Sequence, residues 1–527
     1  FISASAMLAR GFPTTPTSAD FNQPRPITQN NIQTAVDLWV SDQASATTTY
    51  GDISTWDTSA VTDMSNLFST QRNSSMSGFN SDISGWNVSQ VTTMYQMFRG
   101  AAAFNQDIQY WNTSSVTSYT NMFNSATAML ARGFPATPTR ADFNQPRPIT
   151  QSNIQTAVDL WVSDQTSATN TYGDISTWDT SAVTDMNNLF STQRNSSMSG
   201  FNSDISGWNV SQVTDMRIMF YGAAAFNQDI GQWNVSQVTD MRSMFYGAAA
   251  FNQDIEQWNV SNVTRMDFMF RDAAAFNQDI GLWNVSQVTT MYAMFFGAAA
   301  FNGDISQWDV SQVTNIQSMF RDAAAFNQDI GQWNVSQVTN MTYMFYNAAT
   351  FNQDISQWDV SNVTNMYQMF YGAAAFNQDI STKEVTVNGT TYTAWDVSKV
   401  TDMREMFWGA AAFNQPIGQW NVGNVTNMGG MFYGAAAFNQ PIGQWNVSNV
   451  ISTDFMFYGA AAFNGDISQW DVSKVVYMRY MFSNAATFNQ DIGQWNVSNV
   501  ISMFRMFFYA AAFNQDIGQW NVSQVTT

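Results

Sequence analysis

The chain contains neither cysteine nor histidine. Their absence removes disulfides, thiol nucleophiles, imidazole bases and the usual ligands of zinc and iron, and with them most familiar hydrolytic and redox chemistries. Charge is also scarce, at 11% of 527 residues, and one-sided. Acidic residues number 39 against 19 basic ones, and all of the acidic set except Glu256, Glu384 and Glu405 are Asp. Nucleic acid is a poor partner for so acidic a surface. The three lysines, Lys383, Lys399 and Lys474, are too dispersed to hold an anionic bilayer. No apolar run reaches the roughly 18 residues that a membrane span needs. Start Met, signal peptide and lipid-attachment Cys are all missing, so the chain reads as a mature form or a fragment.

What is abundant is apolar and aromatic, 45% and 15% of the chain, which is ample for a continuous core. From Phe201 the sequence recurs every 25 residues, with FNQDIGQWNVSQVTDMRSMFYGAAA at 226–250 as the type copy. Seventeen of the 20 tryptophans mark the copies, from Trp56 to Trp520. A single insertion, STKEVTVNGTTY at 381–392, interrupts the later spacing, and its Asn388-Gly389 reads as a hairpin tip.

A larger duplication, offset by 122, predicts two blocks, 1–122 and 123–527, in one continuous solenoid. Each block opens on a stretch outside the repeat whose apolar spacing predicts a helix, as with Ile32, Ala35, Val36 and Trp39 in the first. Pro13, Pro16, Pro24 and Pro26 before that stretch, and Pro135, Pro138, Pro146 and Pro148 before the second, read as loops wrapping a coil. Both termini fall inside a repeat, which predicts continuation in a longer chain or contact with another copy.

Within one copy, Trp233 and Val235 flank Asn234 and predict a short strand. Thr239 is the expected cap of a short helix carrying Met241, Met244, Phe245 and Ala248 on one stripe. A lone unit cannot bury these side chains, whereas stacked units give each an identical neighbour above and below. The expected fold is therefore an α/β solenoid, leucine-rich-repeat-like, with about 25 residues per coil, a parallel β-sheet on one face and short helices on the other.

The pattern V-T-x-M-x-x-M-F-x-x-A-x-x-F-N-Q-D-I-x-x-W-x-V-S resembles the repeat of mycoplasma-type surface lipoproteins, a family related to BspA-like leucine-rich-repeat surface proteins. The resemblance implies a leucine-rich-repeat-like solenoid with parallel strands on its concave side, in proteins usually found at cell surfaces and often called adhesins. It implies no enzyme and no defined ligand. This chain departs from the lipoproteins in lacking an N-terminal Cys for a lipid anchor.

Stacking would bring the aspartates of the N-Q-D-I segment near one another, so Asp229, Asp254, Asp279 and Asp304 form a candidate calcium ladder. The plainer reading has each accept backbone N–H bonds in its own turn, which the replacement by Pro416 and Pro441 favours. Asn227, Asn252 and Asn277 are expected to form an amide ladder that satisfies turn backbone. Asn234, Asn259, Asn284 and Asn388 head N-x-[ST] sequons and are candidate glycosylation sites.

No catalytic constellation is present. Together these features point to an extracellular or cell-surface structural or adhesive repeat protein, a surface or filament component that presents a long polar face and self-associates through its repeat surfaces. The alternative is a carbohydrate-binding surface protein in which the insertion helps to define a site for a glycan.

Overall fold

The computed structural model describes residues 24–527. Pro13, Pro16 and the first copy of the duplicated opening segment lie outside the described residues. Two compact units form. One holds residues up to 148 together with 164–174, and the other holds 149–163 and 175–527.

Five α-helices occur among the described residues: α1 (Ile32–Ser41), α2 (Gln43–Tyr50), α3 (Thr127–Ala131), α4 (Ile154–Ser163) and α5 (Gln165–Tyr172). Helix α1 buries Ile32, Ala35, Val36 and Trp39, the four residues whose spacing predicts it. Helix α2 has no apolar stripe to announce it. It starts because the Asp42 carboxylate accepts the Ser45 N–H at 3.0 Å and the Ser45 hydroxyl at 2.6 Å.

Residues 123–147, which open the second sequence block, close the ladder of the first unit. The Phe123 N–H donates to the Ala136 carbonyl at 3.0 Å. The Phe134 ring stands 5.3 Å from the Phe123 ring, and the Thr113 N–H donates to the Asn144 side chain at 2.7 Å. The first compact unit thus runs past the start of the second sequence block at 123.

The coils of the second unit depart from expectation in two respects. Residues 239–248 form no helix, and Thr239 caps nothing: its N–H donates at 3.0 Å to Thr214 O of the preceding coil. Beyond it, alternate residues face different partners. The N–H groups of Ser243, Phe245 and Gly247 donate to Asp267, Met269 and Arg271 of the next coil at 2.9, 2.9 and 2.7 Å. Those of Met244, Tyr246 and Ala248 close four-residue turns onto Met241, Ser243 and Phe245 at 3.2, 3.2 and 3.0 Å.

An α-helix needs N–H bonds four residues back and an unbroken right-handed backbone. Ser243 at φ 53° and Gly247 at φ 67° forbid that. The ribbon of turns still buries Met241, Met244, Phe245 and Ala248, so the stripe that suggested a helix is real and its conformation is not helical.

Parallel pairing is present as single-residue bridges, and it lies on this ribbon. In the second unit the bridged row runs Asp185, Asp215, Asp240, Arg265, Thr290, Asn315, Asn340, Asn365, Asp402, Asn427, Ser452, Tyr477, Ser502. The expected strand at Trp233–Val235 is absent. Tight turns stand there instead, with Trp233 N–H to Ile230 O at 3.1 Å and Val238 N–H to Val235 O at 2.9 Å.

Between the two sides run aromatic ladders. Phe245 lies 5.5 Å from both Phe220 and Phe270, and 4.0 Å from Phe251 of its own turn. Trp258 stacks 6.4 Å from Trp283. Full burial of such a ring contributes about 1.5–3 kcal/mol, and every coil repeats it.

The insertion is a hairpin, as its sequence predicts. Strand β1 (Lys383–Val387) pairs antiparallel with β2 (Thr390–Ala394), Val387 opposite Thr390. Asn388 and Gly389 at the tip take φ 50° and 78°, the two positive angles that a tight hairpin turn needs.

Candidate functional site

The residues predicted to hold calcium are engaged in turns. Asp229, Asp254 and Asp304 each accept, through Oδ1, the N–H two residues on, at 2.9, 2.9 and 2.8 Å. Asp279 accepts the Asp304 N–H of the next coil at 3.0 Å. Among the described residues no three carboxylates converge into a group that would hold a metal ion. The donor set expected for calcium is therefore dispersed along the coils.

Asn227 and Asn252 form the expected amide ladder. Asn252 N–H donates to Asn227 Oδ1 at 2.9 Å, and the Gln253 amide donates to the same oxygen at 2.9 Å. The sequon residues Asn234, Asn259, Asn284 and Asn388 are all exposed. The first three bend their side chains back to Ser236, Ser261 and Ser286 N–H at 3.2, 3.1 and 3.1 Å. They therefore stand on turns and not on a sheet face.

The chemistry that varies lies on the ribbon. Its bridged row carries Asp240, Arg265, Thr290, Asn315 and Tyr477 at equivalent places. The row two residues on carries Arg242, Asp267, Tyr292 and Phe504. In the earlier coils the charges neutralise locally. Arg217 pairs with Asp215 at 2.5 Å, Arg242 with Asp240 at 2.6 Å and Arg265 with Asp267 at 2.9 Å. Hydrogen bonding to the adjacent carboxylate raises the already high pKa of Arg217 and of Arg242. Arg217, Arg242, Arg265 and Asp267 line an open depression of about 440 Å³ that also includes Asn187, Phe268 and Tyr292.

Beside that depression runs a half-buried row of rings and guanidinium groups. Tyr221 stacks on Tyr246 at 4.5 Å. The Arg271 guanidinium sits between Tyr246 and Phe296, 5.0 and 4.3 Å from their ring centres. Arg321 lies 4.9 Å from Phe296 and 4.6 Å from Tyr346. The row continues from Tyr346 to Tyr371 at 4.5 Å, then through Trp408 to Tyr433 at 3.6 Å and Tyr458 at 4.4 Å. A face of this kind offers flat apolar surface edged by hydrogen-bonding groups, which suits recognition of an extended partner.

The signal for the ribbon was in the repeat itself, because the x positions of V-T-x-M-x-x-M-F-x-x are where the copies differ.

The stacked coils, the parallel bridges and the internal ring ladders define a repeat solenoid. The chain belongs to the family described as Mycoplasma protein of unknown function, DUF285, which matches residues 39–133, 161–282, 269–383, 382–477 and 444–527. This bears out the resemblance read from the repeat.

Among solved structures the chain is similar to a leucine-rich repeat protein from Eubacterium ventriosum. The identity is 10%, covering 53% of this chain and 83% of that one, with a TM-score of 0.20. A leucine-rich repeat protein of Leptospira interrogans is similar at 6% identity over 72% of this chain and 96% of that one, TM-score 0.17. The functional domain of InlJ from Listeria monocytogenes is similar at 10% identity over 57% and 55%, TM-score 0.14. No curated protein matches the sequence. No helix among the described residues is long and apolar enough to cross a membrane.

Proposed function

We propose that this chain is an adhesive or structural repeat protein of the cell exterior, whose ribbon face makes the specific contacts. One observation carries the reading: coils that agree almost residue for residue in their core and turns differ at the half-buried and exposed ribbon positions, such as Asp240, Arg265, Thr290 and Asn315. Packing explains the sameness, since every ladder residue must match its neighbour. It gives no reason for the differences, whereas contact with a partner does.

Two measurements test the reading. Antibody against the folded chain should label intact, unpermeabilised source cells. Replacing Arg271, Arg321 and Trp408 together by Ala should abolish attachment of the purified protein to its target surface, while replacing the turn residues Asn234, Asn259 and Asn284 by Ala should leave it intact. Labelling only after permeabilisation, or equal attachment by both variants, overturns the proposal.

A further inference from the structure

A second surface owes nothing to the ribbon. The hairpin β1–β2 leans over the turns of two coils and encloses a cavity of about 230 Å³ between Gly331–Ser336, Gln357, Asp359 and its own Val387, Asn388, Thr390 and Tyr392. It is seated there by the Tyr392 hydroxyl, which donates to the Gln357 carbonyl. The hairpin adds little to the core: Ala394 is its only fully buried residue, and Glu384, Thr386, Thr391 and Thr393 point to solvent. Removing residues 381–392 would return Trp395 to the 25-residue spacing from Trp358, so the solenoid does not need the insertion to stay in register.

The lining has a definite chemical character. Asp359 uses Oδ1 to accept the Ser361 N–H at 3.0 Å, and Oδ2 makes no hydrogen bond among the described residues. Asn334 accepts the Ser336 N–H through Oδ1 at 3.1 Å, which leaves its Nδ2 as a donor. Gln332, Gln357 and Thr390 add side-chain amides and a hydroxyl, and Tyr392 with Val387 supplies an apolar wall.

No Lys or Arg lines the cavity, so an anionic ligand would meet Asp359 without a counter-charge. The volume lies just below the roughly 300–1,000 Å³ of drug-sized pockets and suits a single ring. Vicinal hydroxyls on one face and C–H groups on the other are what such a lining recognises.

We infer that the cavity beneath the hairpin binds one neutral pyranose unit. Asp359 and the amides of Gln332, Asn334 and Gln357 take its hydroxyls, and Tyr392 covers its apolar face. The inference goes beyond the adhesive reading and shares no residue with it, so either can fail while the other stands.

The test is titration calorimetry of the full chain with the methyl glycosides of glucose, galactose, mannose and N-acetylglucosamine, and with glucuronate as the anionic control. Three proteins are compared: the unaltered chain, a variant lacking residues 381–392, and Asp359→Asn, which installs the residue found at the matching place in Asn334. At least one neutral glycoside should bind the unaltered chain, binding should vanish in the deletion variant, and Asp359→Asn should weaken it about tenfold with thermal unfolding unchanged. Should the deletion variant fail to fold, Tyr392→Ala replaces it and should also lose binding. The inference is overturned if no neutral glycoside binds, if glucuronate alone binds, or if hairpin deletion and Asp359→Asn leave affinity as it was.

Discussion

The indole Nε1 of Trp258 donates to the carbonyl oxygen of Ile230 in the preceding coil at 3.1 Å, and both residues are buried. The same bond recurs from Trp283 to Ile255 and from Trp308 to Ile280, each at 3.0 Å. On the turn side no backbone ladder joins these coils, so the tryptophan supplies the donor that a neighbouring strand would supply in a sheet.

Trp258→Phe keeps a ring in the stack and removes only that donor, leaving Ile230 O with the Trp233 N–H as its remaining partner. The expected loss is about 0.5–1.5 kcal/mol of unfolding free energy plus a small packing term. Urea unfolding followed by circular dichroism checks it. A loss below about 0.5 kcal/mol would show that water replaces the indole and that the bond is dispensable.

Phe245→Ala should cost more. Its ring touches three coils, 5.5 Å from Phe220 and Phe270, and no side chain can move in to fill the space between two identical rungs. Truncations of this kind cost about 3–5 kcal/mol. Because each coil contacts mainly its neighbours, faster amide exchange should appear in the coils around 220–270 and fade further along the chain. Uniform acceleration across the second unit would instead mean that it unfolds as one body.

Much of this architecture is legible in the sequence, and the departures from it have a physical cause. The ring and methionine ladders follow from apolar residues that recur at a fixed interval and cannot be buried alone. The hairpin follows from Asn388-Gly389. The expected helix is not formed because Met241, Met244, Phe245 and Ala248 satisfy a helical spacing that a ribbon of four-residue turns satisfies equally. The distinguishing mark lay in the Gly, Asn and Asp found at one place, as at Gly247, Asp272 and Asn347, all at positive φ. Helix α2 was silent because a polar sequence held by an Asp42 cap carries no periodicity. Of the candidate sites, the Asp and sequon rows were located by register, whereas the ring and guanidinium row required knowing which side of the coil bears the bridges.

Stability should fall at both ends of the pH scale. Asp57, Asp179 and Asp471 sit below the ordinary carboxylate value of 3.8, first because a serine hydroxyl bonds each carboxylate and then because the backbone N–H does. Their contribution is present above that value and is lost as pH falls through the depressed one. On the alkaline side, burial pushes the Tyr367 phenol from 10.0 to about 12, with the Glu405 charge adding to it, and burial also raises Tyr246, Tyr371 and Tyr433. A folded state that holds these protons is stabilised below pH 10 and loses that advantage as pH rises toward 12. Tyrosinate absorbance should therefore lag behind that of free tyrosine until the fold opens. Ordinary titration of all 18 tyrosines near 10 in the folded chain would contradict the burial of these four phenols.

Gly247 tests the ribbon directly. At φ 67° its backbone is left-handed, and an added Cβ would have open space beyond Gly222 Cα at 3.6 Å. Gly247→Ala therefore isolates the backbone term, about 1–2 kcal/mol. Gly247→Asn should cost less, since Asn347 holds the same place at φ 54°. Equal stability of all three proteins in thermal unfolding would place this residue in a right-handed turn and reopen the helical assignment.

The first rung of the second unit is closed by a single side chain. Gln151 Oε1 accepts the N–H groups of Thr184 and Asp185, each at 2.9 Å, and Gln151 Nε2 donates to Asp185 O at 3.0 Å. One amide thus takes the place of the preceding coil, whose role for the next rung is shown by Thr214 N–H bonding Thr184 O at 2.9 Å. Gln151→Ala removes these bonds at an exposed position, where water compensates in part, so a loss of about 0.5–1.5 kcal/mol is expected. Hydrogen exchange at Thr184 and Asp185 should quicken by roughly tenfold, with exchange at Phe245 unchanged. Gln151→Glu keeps the acceptor, loses the donor and sets a second carboxylate beside Asp185, so its deficit should exceed that of the alanine variant at neutral pH and shrink as the new group protonates near pH 4. If Gln151→Glu matches the unaltered chain across that range, the amide is not what ends the ladder.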